Sequence, residues 1–89
     1  MDIAPGGSGS ALIIPAEEIS RLTNVAARAL CRAAQGCVGT GYELLSWGKT
    51  RARRLRDQGE PWGEALLSRW EQVCDSYTEA YCVPLPEAP

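Results

Sequence analysis

Four cysteines, Cys31, Cys37, Cys74 and Cys82, are the residues of this sequence that could carry redox or metal chemistry. As two disulfides they would allow three connectivities. Their C-x5-C and C-x7-C spacings differ from the C-x2-C spacing of a zinc knuckle, and the chain has no histidine to complete a mixed site. In a reducing compartment such cysteines stay free and pack as small hydrophobes. We therefore expect structural free thiols, with no metal and no cofactor.

The N-terminal sequence sets the expected compartment. It contains no basic cluster, and its one apolar run, Leu12-Ile13-Ile14, is too short for a secretion signal. No run elsewhere approaches the roughly 20 apolar residues that span a bilayer. We expect a cytoplasmic protein without a membrane segment.

The sequence lacks the side chain that enzymes most often use as a general base, because it contains no histidine. A cysteine nucleophile would need a lysine or a carboxylate as its base, and no spacing favours one. Gly48-Lys49-Thr50 resembles the end of a phosphate-binding loop, but Glu43 stands where that pattern requires its first glycine. The sequence predicts a protein without enzymatic activity.

A run of basic residues marks the middle of the chain: Lys49, Arg51, Arg53, Arg54 and Arg56. These residues surround a helix rather than share one face, and no aromatic residue interleaves with them to stack bases. The whole chain has nine Lys plus Arg against eleven Asp plus Glu, a net charge of −2. A solvated or intramolecularly neutralised surface is therefore favoured, and direct nucleic-acid binding is the alternative.

The three tryptophans are the other residues of interest. Trp70 falls on an apolar stripe and is expected in the core. Trp47 and Trp62 lie outside such stripes, so they either cap the ends of a small bundle or bind a partner, since tryptophan is enriched at the energetic centres of interfaces.

Helices must position these residues, and the first is predicted over about residues 15–35. Pro15 suits the first turn of a helix, and Gly36 is typical of a stop. The apolar stripe of this helix is Ile19, Leu22, Ala26, Ala29 and Ala33. Because much of the stripe is alanine, another backbone can approach closely, but little area is buried per residue.

The second helix is predicted over about residues 41–58. Thr40 and Glu43 match a capping box at its start, and Gly59 follows its end. Gly48 in its middle costs about 1 kcal/mol relative to alanine. Either a neighbouring helix packs closely there or the helix bends.

The third helix, about residues 61–82, has the clearest periodicity in the chain. Its stripe is Leu66, Trp70, Val73, Tyr77 and Ala80. This helix and the residues before it are acidic whereas the second helix is basic. An antiparallel hairpin of the two would therefore bring unlike charges together, with a small gain for each exposed pair.

These patterns predict an all-α fold of three helices in a single domain over residues 11–83. Residues 1–10 are expected to be a flexible leader, and residues 84–89 an extended proline-rich tail. The run Leu12-Ile13-Ile14 could form a strand only by joining another chain or lying against the helices. With 89 residues and a thin apolar inventory, the chain is expected to gain stability from a second copy, as a homodimer.

The function that these features favour is a non-enzymatic interaction module, similar in class to anti-activators. It would bind a larger regulatory protein, for example a transcription regulator, and inhibit it by masking an interaction or dimerisation surface. The residues expected to bind the partner are Ile13, Ile14, Ile19, Leu22, Ala26, Trp47, Arg51 and Trp62. The alternatives are a nucleic-acid-associated regulator that uses the basic second helix, and a structural or chaperone-like subunit of a larger complex.

Overall fold

The computed structural model describes residues 13–82 of the chain. Three α-helices follow one another: α1 (Ala16–Ala34), α2 (Val38–Asp57) and α3 (Gly63–Tyr77). A π-helical turn, Thr78–Cys82, continues α3. Over residues 13–82, the predicted all-α fold of three helices is confirmed.

Three predictions from the sequence concern the two ends of the chain. The predicted leader (1–10) and tail (84–89) lie outside the described residues. Of the short apolar run before α1, Ile13 and Ile14 are described, and neither is in a strand. Ile14 packs against the helical core. It therefore lies against the helices, which is one of the two arrangements expected for this run, the other being a strand joined to another chain.

The C-terminal ends of α1 and α2 are formed by glycines with a left-handed backbone, Gly36 at φ +88° and Gly59 at φ +93°. After α1, the Gly36 N–H bonds the carbonyl of Ala33 at 3.0 Å and the Cys37 N–H bonds that of Arg32 at 2.8 Å. This is the Schellman motif, and α2 ends in the same way at Gly59. Both predicted stops are confirmed, because a residue without Cβ adopts this backbone at little cost.

The start of α2 differs from the predicted one. The helix begins at Val38, with Cys37 as an N-cap that makes no side-chain cap hydrogen bond. Thr40 therefore lies inside the helix, and the predicted capping box with Glu43 is wrong. The turn that closes α1 leads directly into α2, so the Gly41 N–H already bonds the Cys37 carbonyl at 3.1 Å.

The third predicted helix is divided in the structure. Pro61 and Trp62 lie in a turn, and α3 begins at Gly63. The carbonyl of Trp62 accepts the N–H of Leu66 at 2.9 Å, which makes Trp62 the N-cap. After Tyr77 the hydrogen-bond pattern changes to the wider π-helical one.

α2 is the central helix, because α1 and α3 both pack along it and make few contacts with each other. The buried apolar side chains are Ala29 and Ala33 on α1, Leu45 and Ala52 on α2, and Leu66, Leu67, Trp70, Cys74 and Tyr77 on α3. The large ones come mostly from α3, since the buried apolar residues of α1 are alanines. Trp70, 1% exposed, is in the core as predicted.

Two glycines of α2 allow this close packing. The six-membered ring of Trp70 occupies the space where a Cβ on Gly48 would lie, so close packing is the reason for that glycine. A Cβ on Gly41 would lie 2.7 Å from the carbonyl oxygen of Ala29 and would also meet the hydroxyl of Tyr77. The helix therefore gives up helical propensity at two positions in order to admit two aromatic rings.

Candidate interaction surface

An open groove of about 510 Å³ lies between α1 and α3. Ala26 and Leu30 of α1 line one side, Val73 and Tyr81 line the other, and the buried Leu45 of α2 lies beneath them. None of the described residues that line this groove is a lysine, arginine, aspartate or glutamate. The groove is therefore an uncharged, mainly apolar depression.

Two large side chains at the groove remain in contact with solvent. Leu30 is 49% exposed and Tyr81 is 44% exposed. Apolar area of this kind is released from water when another chain covers it, and contiguous exposed apolar surface marks interaction sites. The groove and these two residues, which we call the α1/α3 groove, form the candidate interaction surface.

The direction of the aromatic rings of α3 explains why the α1/α3 groove stays open. Trp70 projects onto Gly48, and the Tyr77 hydroxyl reaches α2, where it donates a hydrogen bond of 2.6 Å to the carbonyl of Val38. Both rings therefore fill the space between α3 and α2. On the other side the α1 stripe offers small side chains such as Ala26, which cannot bridge the distance to α3.

The π-helical turn forms one end of the α1/α3 groove, because Ala80 and Tyr81 belong to it and also line the groove. The rings of Tyr77 and Tyr81 contact each other, with centroids 5.1 Å apart and planes inclined by 46°. This tilted geometry is favourable for two aromatic rings. Single π-helical turns are rare in proteins and frequent at functional sites, which is an independent reason to consider this end of α3.

A second feature joins α1 to α2 on the surface of the bundle. Glu18 is 7% exposed and accepts hydrogen bonds from Arg51 Nη1 at 2.6 Å and Nη2 at 3.1 Å, one on each carboxylate oxygen. Arg21 Nη1 adds a third contact at 3.0 Å. The hydrogen bonds from Arg51 lower the pKa of Glu18, although burial acts in the opposite direction. The pKa of Arg51 is raised in turn.

The pairing of Arg51 with Glu18 changes how the basic run is interpreted. Arg51 was expected to bind a partner, and the structure places it in an ion pair within the chain. Glu18 was not among the residues selected from the sequence. A signal for its burial was present, because Glu18 stands four residues before Leu22 and thus continues the apolar stripe of α1.

Charge pairing between α2 and α3 is sparse. Among residues 13–82, the ion pair between these helices is that of Arg56 with Glu64, at 4.0 Å on the surface. Arg56 also contacts its neighbour Asp57 at 3.0 Å. The opposite charges of α2 and α3 therefore form little direct ion pairing. The ion pair whose carboxylate is least exposed, that of Arg51 with Glu18, joins α1 to α2.

The residues predicted to bind a partner are divided among several places. Ile14, Leu22, Ala26 and Trp62 are half-buried against the core. Ile19 is half-buried, whereas Ile13 and Trp47 are 68% and 53% exposed. Only Ala26 of this set lines the α1/α3 groove. The position of Trp62, at the cap of α3 and against the core, fits the bundle-capping alternative.

A binding role for Leu30, Val73 or Tyr81 was not predicted from the sequence. Each was visible as part of an apolar stripe or as a residue beside one. Residues of a stripe are expected to be covered by a neighbouring helix, and the sequence does not show which part of a stripe the neighbour leaves open.

The four cysteines are free thiols in the structure, and they differ in environment. Cys74 is buried, its thiol lies 3.7 Å from the carbonyl oxygen of Leu45, and burial raises its pKa. Cys82 is half-buried and packs against the core. Cys31 and Cys37 are exposed, so packing as small hydrophobes describes Cys74 and Cys82 but not these two. Within residues 13–82 no group of three or more possible metal ligands occurs.

Comparison with known protein families, with curated proteins and with solved structures finds no match for this chain. Across the described part of the chain, no helix is both long enough and apolar enough to cross a membrane.

Proposed function

We propose that this protein is a non-enzymatic, cytoplasmic interaction module that binds a larger regulatory protein. It acts as an inhibitor, in the manner of an anti-activator, by covering an interaction or dimerisation surface of that regulator, for example a regulator of transcription. The observation that supports the proposal is the α1/α3 groove, an apolar depression in a three-helix fold that a fourth helix would complete.

The groove suits the apolar face of a helix from the regulator. In this mode of recognition, side chains at positions i, i+3, i+4 and i+7 enter a hydrophobic groove. A volume of about 510 Å³ holds a few such side chains between Leu30 on one side and Tyr81 on the other. Because the lining is uncharged, shape and apolar area supply the affinity.

The chemistry of the groove supports binding rather than catalysis. Its polar side chains besides the two tyrosines are Gln72 and Ser76, and no described acid, base or thiol lines it. The hydroxyl of Tyr77 is engaged with the carbonyl of Val38. Such a surface can exclude water from an apolar partner but offers no group that would transfer a proton near neutral pH.

The nucleic-acid alternative is weakened by the placement of two arginines. Arg51 is held by Glu18, and Arg56 lies beside Asp57 and Glu64. A structural or chaperone-like subunit could use the same groove, and the two roles differ in effect on the partner. An inhibitor removes the partner's own self-association or activity, whereas a structural subunit leaves both intact.

Substitutions in the groove test the proposal. We expect Leu30→Glu and Tyr81→Glu each to abolish capture of the regulator from the native host, because each places a charge in an apolar contact. Tyr42→Glu is the matched control, since Tyr42 is also an exposed aromatic side chain, at 45%, and does not line the groove. Circular dichroism checks that all three variants keep their helices.

The captured regulator, identified by mass spectrometry, is then tested in isolation. We expect the wild-type protein and Tyr42→Glu to suppress the regulator's self-association or activity, and the two groove variants to leave it unchanged. Capture that survives both groove substitutions would contradict the proposed site. A regulator that is bound through the groove but keeps its activity would favour the structural-subunit alternative.

A further inference from the structure

The outer face of α2 carries a stripe that no other part of the described chain covers. Its members are Glu43, Trp47, Thr50 and Arg54, at helical spacings of 4, 3 and 4. All four are exposed. They lie on the side of the helix opposite the buried residues Leu45 and Ala52, which face α1 and α3.

This outer stripe combines an apolar centre with unpaired charges at its two ends. Trp47 is 53% exposed, whereas Trp62 is half-buried and Trp70 is buried. Among residues 13–82, neither Glu43 nor Arg54 takes part in an ion pair, in contrast to Arg51 and Arg56 of the same helix. The stripe therefore has an acid at its N-terminal end, an aromatic ring near its middle and a base at its C-terminal end.

Such a stripe is complementary to itself when two copies of α2 lie antiparallel. With a two-fold axis between residues 48 and 49, Glu43 of one copy lies opposite Arg54 of the second copy, and Trp47 lies opposite Thr50. The same pairs occur twice, as an isologous interface requires. One turn along the helix from Thr50, Arg54 of the second copy also comes within reach of the Trp47 ring, where its cation is attracted to the ring face.

We propose that this outer stripe of α2 is the interface of a homodimer of the chain. The inference rests on the homodimer predicted from the sequence and names the surface that forms it. A parallel arrangement would place Glu43 against Glu43 and Arg54 against Arg54, so the charges select the antiparallel one. Because the stripe and the α1/α3 groove lie on opposite sides of the bundle, the dimer presents two open grooves to its partner.

Charge reversal tests the interface without disturbing the core. We expect E43R and R54E each to weaken the dimer about tenfold, because each creates two like-charge pairs across the axis. The double variant E43R/R54E restores opposite charges and should return the dissociation constant to within about threefold of the wild-type value. Sedimentation equilibrium at low ionic strength measures these constants, since exposed charges are weakly screened there.

R53E is the matched control, because Arg53 is the adjacent exposed arginine and lies about 100° around the helix from Arg54, on the flank toward Cys74. Thr50, at the edge of the stripe, borders the same depression. R53E makes the same charge change outside the stripe and should leave the dissociation constant unchanged. W47A should weaken the dimer at least 30-fold, since a central tryptophan at an interface has a large effect. Circular dichroism verifies that each variant is folded. If W47A loses helicity, the charge variants E43R, R54E and E43R/R54E test the interface in its place.

Each of the following results would overturn the inference: a wild-type monomer at micromolar concentration, a double variant that stays weakened, or an R53E variant as weak as R54E. A dimer lost on Leu30→Glu but kept in W47A would place the interface in the groove and also overturn it. The proposed function is judged separately, because capture of the regulator depends on the groove residues. A monomer that still captures the regulator through Leu30 and Tyr81 would disprove the dimer alone.

Discussion

Arg51 on α2 holds both carboxylate oxygens of Glu18 on α1, at 2.6 and 3.1 Å, across 33 positions of sequence. The side chain of Glu18 is 9% exposed and that of Arg51 is 26% exposed, so the pair is largely shielded from water. A shielded bidentate pair fixes the position of two helices relative to each other more strictly than apolar contact does, because its geometry is directional. It therefore links α1 to α2 at one defined point.

Removal of one member of this pair should destabilise the fold more than removal of both. We expect Arg51→Met to lower the free energy of unfolding by about 2 kcal/mol, because it leaves the carboxylate of Glu18 shielded from water with less compensation. The double variant Glu18→Leu/Arg51→Met should recover part of this loss. Urea unfolding followed by circular dichroism measures both, with Arg28→Met as an exposed control that changes stability by less than about 0.5 kcal/mol. Equal losses in the single and double variants would show that the pair is not coupled.

The same pair predicts how stability depends on pH. Arg51 holds the pKa of Glu18 below its usual value of 4.5. Between that lowered pKa and pH 4.5, the unfolded chain therefore binds more protons than the folded one. The stabilisation is therefore complete above about pH 4.5 and is lost as the pH falls through the lowered pKa of the folded state. We expect the difference in unfolding free energy between the wild-type protein and Glu18→Gln to shrink over this range. A difference that does not change with pH below 4.5 would contradict this prediction.

The contact of Gly48 with Trp70 predicts opposite effects of two glycine substitutions in one helix. Gly48→Ala should destabilise by about 1–3 kcal/mol, because the new methyl group meets the Trp70 ring in a filled core. Gly39→Ala should stabilise by up to about 1 kcal/mol, because it has open space around it and alanine favours the helix. Thermal or urea unfolding of the two variants checks the signs. A stabilising Gly48→Ala would show that α3 can move away from α2 at small cost.

The environments of the cysteines predict the order in which they react. Cys31 and Cys37 are exposed and should be modified by a thiol reagent in the native protein, whereas Cys74 should react only on unfolding, because it is buried and its pKa is raised. Mass spectrometry of peptides after timed labelling assigns each site, and Cys74→Ala identifies the slowest phase. Native protection of Cys31 and Cys37 together would instead indicate a disulfide between them or a covered surface.

Local features of the chain were sufficient to predict the helices. The 4-3 spacing of Leu66, Trp70, Val73 and Tyr77 determines one apolar face of α3, and Gly36 and Gly59 end α1 and α2 because their left-handed backbone suits no other residue as well. These patterns depend on residues that are close together in sequence, so they can be recognised without knowledge of the tertiary structure. The capping box at Thr40 failed because the Schellman turn before it starts α2 earlier.

The sequence by itself therefore determined three helices, their glycine stops and the burial of Trp70. Only the tertiary structure decided that Glu18 meets Arg51, that Gly48 receives the Trp70 ring, and that Leu30 and Tyr81 stay uncovered beside a groove. The physical reason is that each of these depends on the distance between helices far apart in sequence. The pattern of apolar residues shows which face a helix buries, whereas only the packing of α1 and α3 on α2 shows how much of that face remains free.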